Sequence, residues 1–163
     1  MTTPIWFLDI DGVVNAAGMD LPDHLARTEA TTQGTTWPIH YSPEVVEFIN
    51  RIHRSGLAEV RWLTTWGQDA RASFAPAVGL DDFMAYEMYG TDAWWKAEIV
   101  AASIADEQRP VIWTDDEITA ADTDRLRGAK VSVVAIAPIT RLGLETSDLR
   151  RVLQFIQQQS TGI

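Results

Sequence analysis

Apolar residues along this chain fall into five short runs, and the segments between them carry helical spacing. The runs are "PIWFLDI" (4–10), "AEVRWLTTW" (58–66), "DFMAYEM" (82–88), "PVIWTDD" (110–116) and "AKVSVVAIAP" (129–138). Each is short, rich in β-branched and aromatic residues and bounded by turn residues, which predicts buried strands; the third is the weakest. "SPEVVEFINRIHRSG" (42–56) reads as a helix: Ser42 at the N-cap, Pro43 in the first turn, Val45, Val46, Ile49 and Ile52 on one face, and Gly56 at its end. Further helices are expected from about Gln68 to Pro76 or Gly79, over 92–108 with Asp92 as its cap, over 118–128, and over 147–159. The last has Leu149, Val152, Leu153 and Ile156 on its apolar side. Between Asn15 and His40 lies a polar, Gly- and Thr-rich stretch whose Thr/Trp/Ile pattern predicts a loop carrying a hairpin.

Strand–helix alternation of this kind gives a parallel sheet covered on both faces. Right-handed crossovers then make it a doubly wound, Rossmann-like α/β domain. Its 163 residues suffice for one domain over 1–163 with a full hydrophobic core. Ligands of such folds bind outside the carboxyl ends of the strands, and that rule gives the polar residues their meaning. The first strand delivers Asp9 and Asp11, the second Thr64 and Thr65, and the fourth Asp115 and Asp116, while Lys96 starts the helix after the third.

Several carboxylates in one crevice repel each other without a cation. An all-oxygen donor set, with no His or Cys, suits a hard ion such as Mg2+. A threonine hydroxyl and a lysine are what phosphoryl oxygens require. Each piece also has a structural alternative. The Asp9/Asp11 pair is turn chemistry, "TDDE" an N-cap cluster, Thr64 a strand-end acceptor and Lys96 a solvated helix residue. Their occurrence at four successive elements is what favours a phosphoryl-transfer site.

Composition narrows the field. The absence of cysteine excludes disulfides, zinc–thiolate sites and thiol nucleophiles. A net charge of −10, from 23 acidic and 13 basic residues, disfavours long nucleic acid as a partner. The basic clusters "RIHR" (51–54) and "RLR" (125–127) read as solvated helix faces. No apolar run is long enough to span a bilayer, and the N-terminus lacks the sections of a secretory signal, so a cytoplasmic location without membrane contact is expected. Most of the seven tryptophans are expected in core or pocket walls. Among the histidines, His53 is expected to be structural or exposed, and His24 and His40 flank the hairpin segment, within reach of a substrate.

The order "FLDIDGVVN", "VRWLTTW", Lys96 at a helix start and "VIWTDDE" resembles the four motifs of the haloacid dehalogenase (HAD) superfamily. "WLTTWG", "IWTDDE" and "GLETSDLRRVLQFI" further resemble a small branch associated with RNA-repair proteins. The resemblance implies a five-stranded sheet in the order fifth, fourth, first, second, third, without a large cap domain and with a crevice open to bulky substrates. It implies a Mg2+-dependent phosphomonoesterase acting on a nucleotide or an oligonucleotide end. Asp9 would be the nucleophile that forms an aspartyl-phosphate, and Asp11 the general acid and then base. Thr64, with Thr65, would grip phosphoryl oxygens, and Lys96 would balance charge. Mg2+ would be held by Asp9, the Asp11 carbonyl and Asp115, with Asp116 holding a metal-bound water or Lys96. A non-catalytic phosphate- or Mg2+-binding module on the same fold is the alternative. A receiver-like domain fits poorly, because the third strand ends in "EMYG" rather than in a phospho-acceptor acid.

Overall fold

The run at residues 5–8 alternates between two hydrophobic cores, and the sheet is built outward from it. In the computed structural model, which describes residues 2–88 and 95–161, β1 (Ile5–Leu8) is buried along its whole length. Trp6 and Leu8 enter one core and Ile5 and Phe7 the other, so both faces of the sheet are covered. β1 pairs in parallel with β4 (Glu59–Trp62) on one side and β6 (Val111–Thr114) on the other. β5 (Met84–Ala85) and β7 (Val133–Ile136) extend the sheet to the order β5-β4-β1-β6-β7. Counted among the strands of this sheet alone, that is the expected order. Leu8 is in register with both Trp62 and Thr114. The residues that follow, Asp9, Leu63–Thr64 and Asp115, therefore leave the sheet at one level.

The helices follow their sequence signals. α1 (Pro43–Arg54) begins at Ser42, whose hydroxyl faces the Val45 N–H at 3.5 Å, and buries Val45, Val46, Ile49 and Ile52 together with Phe48 and Asn50. Asn50 lies on this face because its amide is satisfied: it donates to the Gly79 carbonyl (2.8 Å) and accepts from the Asp81 N–H (2.9 Å). α5 (Thr146–Thr161) lies against the same core through Val152, Phe155 and Ile156, with Leu149 and Leu153 partly buried. α3 (Trp95–Glu107) and α4 (Ala120–Leu126) contribute Val100, Ile104 and Leu126 to the opposite core. Thr119 and Asp122 cap α4 reciprocally. Asp92, expected to cap the third of these helices, lies outside the described residues. No helix among the described residues is long and apolar enough to cross a membrane.

Two elements depart from simple expectation. The helix after β4 is a π turn (Ala70–Phe74) that runs into a short α2 (Ala75–Val78) and stops at Gly79, in the left-handed conformation. The third sheet strand shrinks to two residues. Asp81 and Asp82, just before it, pair with Arg54 (2.6 Å) and Arg71 (2.6 Å), and the ladder to β4 begins only at Met84. Arg54, in "RIHR", is thus a surface ion-pairing residue. His53 is structural: its Nδ1 accepts the Val60 N–H at 3.1 Å, and its ring meets Phe83 edge-on. Arg61, a charge in a central strand, is compensated by Glu59 (2.7 Å) and Glu107 (2.6 Å) and by the Tyr86 hydroxyl (3.0 Å).

The polar stretch contains the expected hairpin, β2 (Ala26–Thr32) and β3 (Thr35–Tyr41), paired antiparallel. Its two-residue turn is Gln33–Gly34, both with positive φ (50° and 75°), the geometry that matches strand twist. Ala30 and Ile39 alone are fully buried within it, too little for an independent core. Tertiary bonds hold the hairpin instead. Asp69 accepts from Thr32 Oγ1 (3.0 Å) and the Gln33 N–H (3.0 Å), and Ser73 Oγ accepts from the Thr31 N–H (2.7 Å). Asp69→Ala should release the tip. Hydrogen exchange at the Gln33 amide should accelerate well beyond that of α1, with a global loss of only about 1–2 kcal/mol in denaturant melts. Equal acceleration throughout the chain would show that the hairpin has no separate anchor.

Candidate functional site

Three strand ends and one helix start converge at the carboxyl edge of the sheet. Asp9 extends the ladder, its N–H donating to the Thr114 carbonyl at 3.1 Å. The chain then turns tightly: the N–H groups of Val13, Val14 and Asn15 all donate to the Ile10 carbonyl, at 3.1, 3.0 and 2.9 Å. Gly12 makes this turn possible. It has φ +73°, and any Cβ there would collide with the Asp116 carboxylate. Gly143 brings the loop after β7 against the same turn: its φ is +66°, and a Cβ would stand 2.7 Å from the Val13 carbonyl oxygen.

Asp9, Asp115 and Asp116 each place a carboxylate oxygen within 4.8 Å of the others. Asp9 and Asp115 are buried. Asp9 Oδ1 accepts from the Ile10 N–H at 2.8 Å. Asp115 Oδ1 accepts from the Glu117 N–H at 2.9 Å. Lys96 stands between the two, its Nζ 3.0 Å from Asp9 Oδ2 and 2.6 Å from Asp115 Oδ2. The Lys96 pairing anticipated for Asp116 thus goes to Asp115, and Asp116 Oδ2 accepts from Thr140 Oγ1 at 2.7 Å. Fully ionised, three carboxylates against one ammonium would leave a local excess of negative charge. All donors are hard oxygens, so the set fits a Mg2+-like cation.

Asp11 belongs to a different part of the site. Its carboxylate lies outside the acidic cluster, with Oδ1 accepting from Asn15 Nδ2 (2.9 Å) and Oδ2 from Trp66 Nε1 (2.9 Å). Asn15 Oδ1 in turn accepts the His40 N–H at 2.9 Å, which ties the base of the hairpin to Asp11. Thr64 is buried at the end of β4, and its hydroxyl accepts the Trp66 N–H at 3.3 Å, the local role foreseen as its structural alternative. Thr65 is exposed and lines a cavity of about 590 Å3 together with Asp11 and Trp66. The hairpin forms the opposite wall, and His40 contributes to it. His24 lies on a separate cleft beside Leu142 and Glu145.

The charges perturb one another. Burial pushes the Asp9 carboxyl up to about 8; Lys96 opposes that shift and Asp115 adds to it. Burial works against the Lys96 ammonium, but Asp9 and Asp115 outweigh it and the pKa is raised. Asp116 is also raised, mainly by burial, with the Thr140 hydrogen bond opposing.

Sequence reasoning had not singled out Asn15, Trp66, Thr140 or the requirement for Gly12. Asn15 stands four residues after Asp11, a spacing that signals contact only once the tight turn is known. Trp66 carries one N–H that needs a partner when buried, but its sequence position does not say which. Comparison with protein-family models and with characterised proteins finds no match to this chain.

Asp9 supplies a pH test. With its folded pKa above the unfolded value, the native state keeps a proton that the unfolded chain has lost between about pH 4 and 8. Cation-free protein should therefore lose stability through this group as pH rises across that window. Thermal unfolding should show the loss in the native sequence and its absence in Asp9→Asn. Identical pH slopes for the two proteins would mean that Asp9 is ionised throughout.

Proposed function

We propose that the chain is a Mg2+-dependent phosphomonoesterase working through an aspartyl-phosphate on Asp9, the chemistry of the HAD superfamily that its motifs resemble. One observation carries the reading: Asp9, Asp115, Asp116 and Lys96 meet at the strand ends, and Asp11 stands beside them at the mouth of a cavity. Asp9, Asp115 and Asp116, with the Asp11 carbonyl, would hold the cation. When bound, Mg2+ offsets the buried negative charge and screens the phosphoryl oxygens from the carboxylates.

The residues divide the work. Asp9 attacks phosphorus as its bond to the ester oxygen breaks, and Asp11 delivers a proton to the departing alkoxide. A water then attacks the aspartyl-phosphate and gives its proton to Asp11. The bond from Asp9 to phosphorus breaks, releasing inorganic phosphate and restoring both carboxyl groups. Lys96 compensates charge on Asp9 and on the transferred group. Thr65, with Thr64 behind it, presents hydroxyl and backbone donors to the phosphoryl oxygens. Asn15 and Trp66 are positioning residues that fix the Asp11 carboxylate. The substrate is a nucleotide or an oligonucleotide end, in keeping with a chain of net charge −10 that disfavours long nucleic acid.

A binding module without turnover is the second reading, favoured by one fact: both oxygens of Asp11 are already engaged by internal donors. Hydrolysis of p-nitrophenyl phosphate, with and without Mg2+, decides between the two. Turnover that requires Mg2+ and disappears in Asp9→Asn supports the enzyme; phosphate binding with no turnover supports the module.

Substitutions of the acid/base group sharpen the test. Asp11→Asn should lose about 10²–10⁴-fold with alkyl phosphates, and less with p-nitrophenyl phosphate, whose anion departs without a proton. Trp66→Phe removes one anchor of Asp11 and should show the same leaving-group pattern at smaller amplitude. Equal losses for both substrates in both variants would make Asp11 a turn residue only.

A further inference from the structure

The cavity beside Asp11 has a composition that the phosphoryl chemistry does not require. Trp37 lies on its hairpin wall with half of its surface exposed, although it is one of the largest apolar side chains in the molecule. Leu21, Ala16 and Ala17 add apolar surface on the facing loop. Gln33 and Thr35 supply neutral hydrogen-bonding groups, and His40 adds an imidazole. Among the described residues no lysine or arginine lines the cavity, and the one acidic side chain there is Asp11. Its volume, about 590 Å3, falls within the range of roughly 300–1,000 Å3 of small-molecule sites.

We infer that this cavity receives the leaving group of the substrate, and that the leaving group is a single uncharged nucleoside whose base stacks on Trp37. The inference rests on the phosphomonoesterase reading for the position of the phosphoryl group, at the Asp9 and Lys96 end of the crevice. An exposed indole beside neutral amide and hydroxyl groups is the chemistry that receives a flat heteroaromatic ring, since every base offers a π face and edge donors and acceptors. A polyphosphate leaving group would carry charges that no lysine or arginine among the described residues of the cavity neutralises, and it would meet Asp11. An oligonucleotide would bring further phosphates to the same uncompensated wall. A small alcohol such as glycerol would leave Trp37 and Leu21 wet. The hairpin that carries Trp37 is pinned at its tip by Asp69 and Ser73 and at its base by Asn15, so the stacking face is in place before the ligand arrives.

The test compares kcat/KM with Mg2+ for nucleoside 5′- and 3′-monophosphates, glycerol phosphate, a nucleoside triphosphate and a 5′-phosphorylated dinucleotide. The monophosphates should exceed glycerol phosphate by roughly tenfold or more, and Trp37→Ala should lower that ratio by roughly tenfold. Trp37→Phe, which keeps an aromatic face, should retain most of the ratio, and matching thermal melts would show that the variants are folded. A ratio unaffected by Trp37→Ala, or a dinucleotide preferred to the mononucleotides, would overturn the inference. Should no phosphate ester be hydrolysed, the enzymatic reading fails separately, and titration with phosphate-free adenosine and uridine still decides the pocket. Quenching of tryptophan fluorescence that is lost in Trp37→Ala supports it, and no binding at millimolar nucleoside refutes it.

Discussion

Everything at the carboxyl edge of this sheet depends on the pairing of one ammonium with two buried carboxylates, Lys96 with Asp9 and Asp115. Burial of a charge is tolerated only with compensation, and this one is incomplete, because Asp116 brings a third carboxylate within reach of the others. The surrounding backbone tightens that crowding. Gly12 admits the Asp116 carboxylate where a Cβ would exclude it, and Gly143 presses the last loop onto the turn after Asp9. A chain selected for stability alone would separate these groups. Their enforced proximity is the physical argument for a cation, and it holds whatever reaction follows.

A second constraint links the hairpin to Asp11. One side-chain amide, that of Asn15, donates to Asp11 and accepts from the backbone of His40 at the end of β3. Trp66 completes the grip on Asp11 and packs edge-on against Phe74 of the π turn. The residues beside and within that turn, Asp69 and Ser73, hold the hairpin tip. The wall of the cavity and the orientation of Asp11 therefore belong to one bonded unit. Distortion of the hairpin is transmitted to the Asp11 carboxylate through two hydrogen bonds.

Much of this was legible in the sequence because it depends on local signals and one topological rule. Apolar runs of strand length located the sheet, Ser42 and Gly56 bounded α1, and the rule that strand ends face the ligand brought together Asp9, Thr64, Lys96 and Asp115. The turn residues and the Thr/Trp/Ile pattern also marked the hairpin. What was not legible is tertiary in origin. The third strand keeps only two residues, and the partners of Asp81 and Asp82 just before it, Arg54 and Arg71, are set by the fold. Asn15, Trp66 and Thr140 acquire their roles only through the geometry of neighbouring loops. Thr64 shows its structural role, that of a strand-end acceptor, at the edge of the crevice.

The charge balance also orders events on the proposed reading. A phosphate monoester approaching this chain meets a protein of net charge −10 and a crevice with three carboxylates and one lysine. Long-range electrostatics oppose the encounter, and salt screens that opposition. On that reading a divalent cation would offset the excess negative charge of the crevice, so the phosphoryl group would gain a favourable place only once the cation is bound. On the proposed reading, affinity for the rest of the substrate would then come from stacking and hydrogen bonds, because among the described residues no lysine or arginine lines the cavity. On the proposed reading, an acidic protein whose cavity sets an exposed indole beside amide and hydroxyl groups would discriminate among phosphate esters by the group that leaves, and would reject those that carry additional charge.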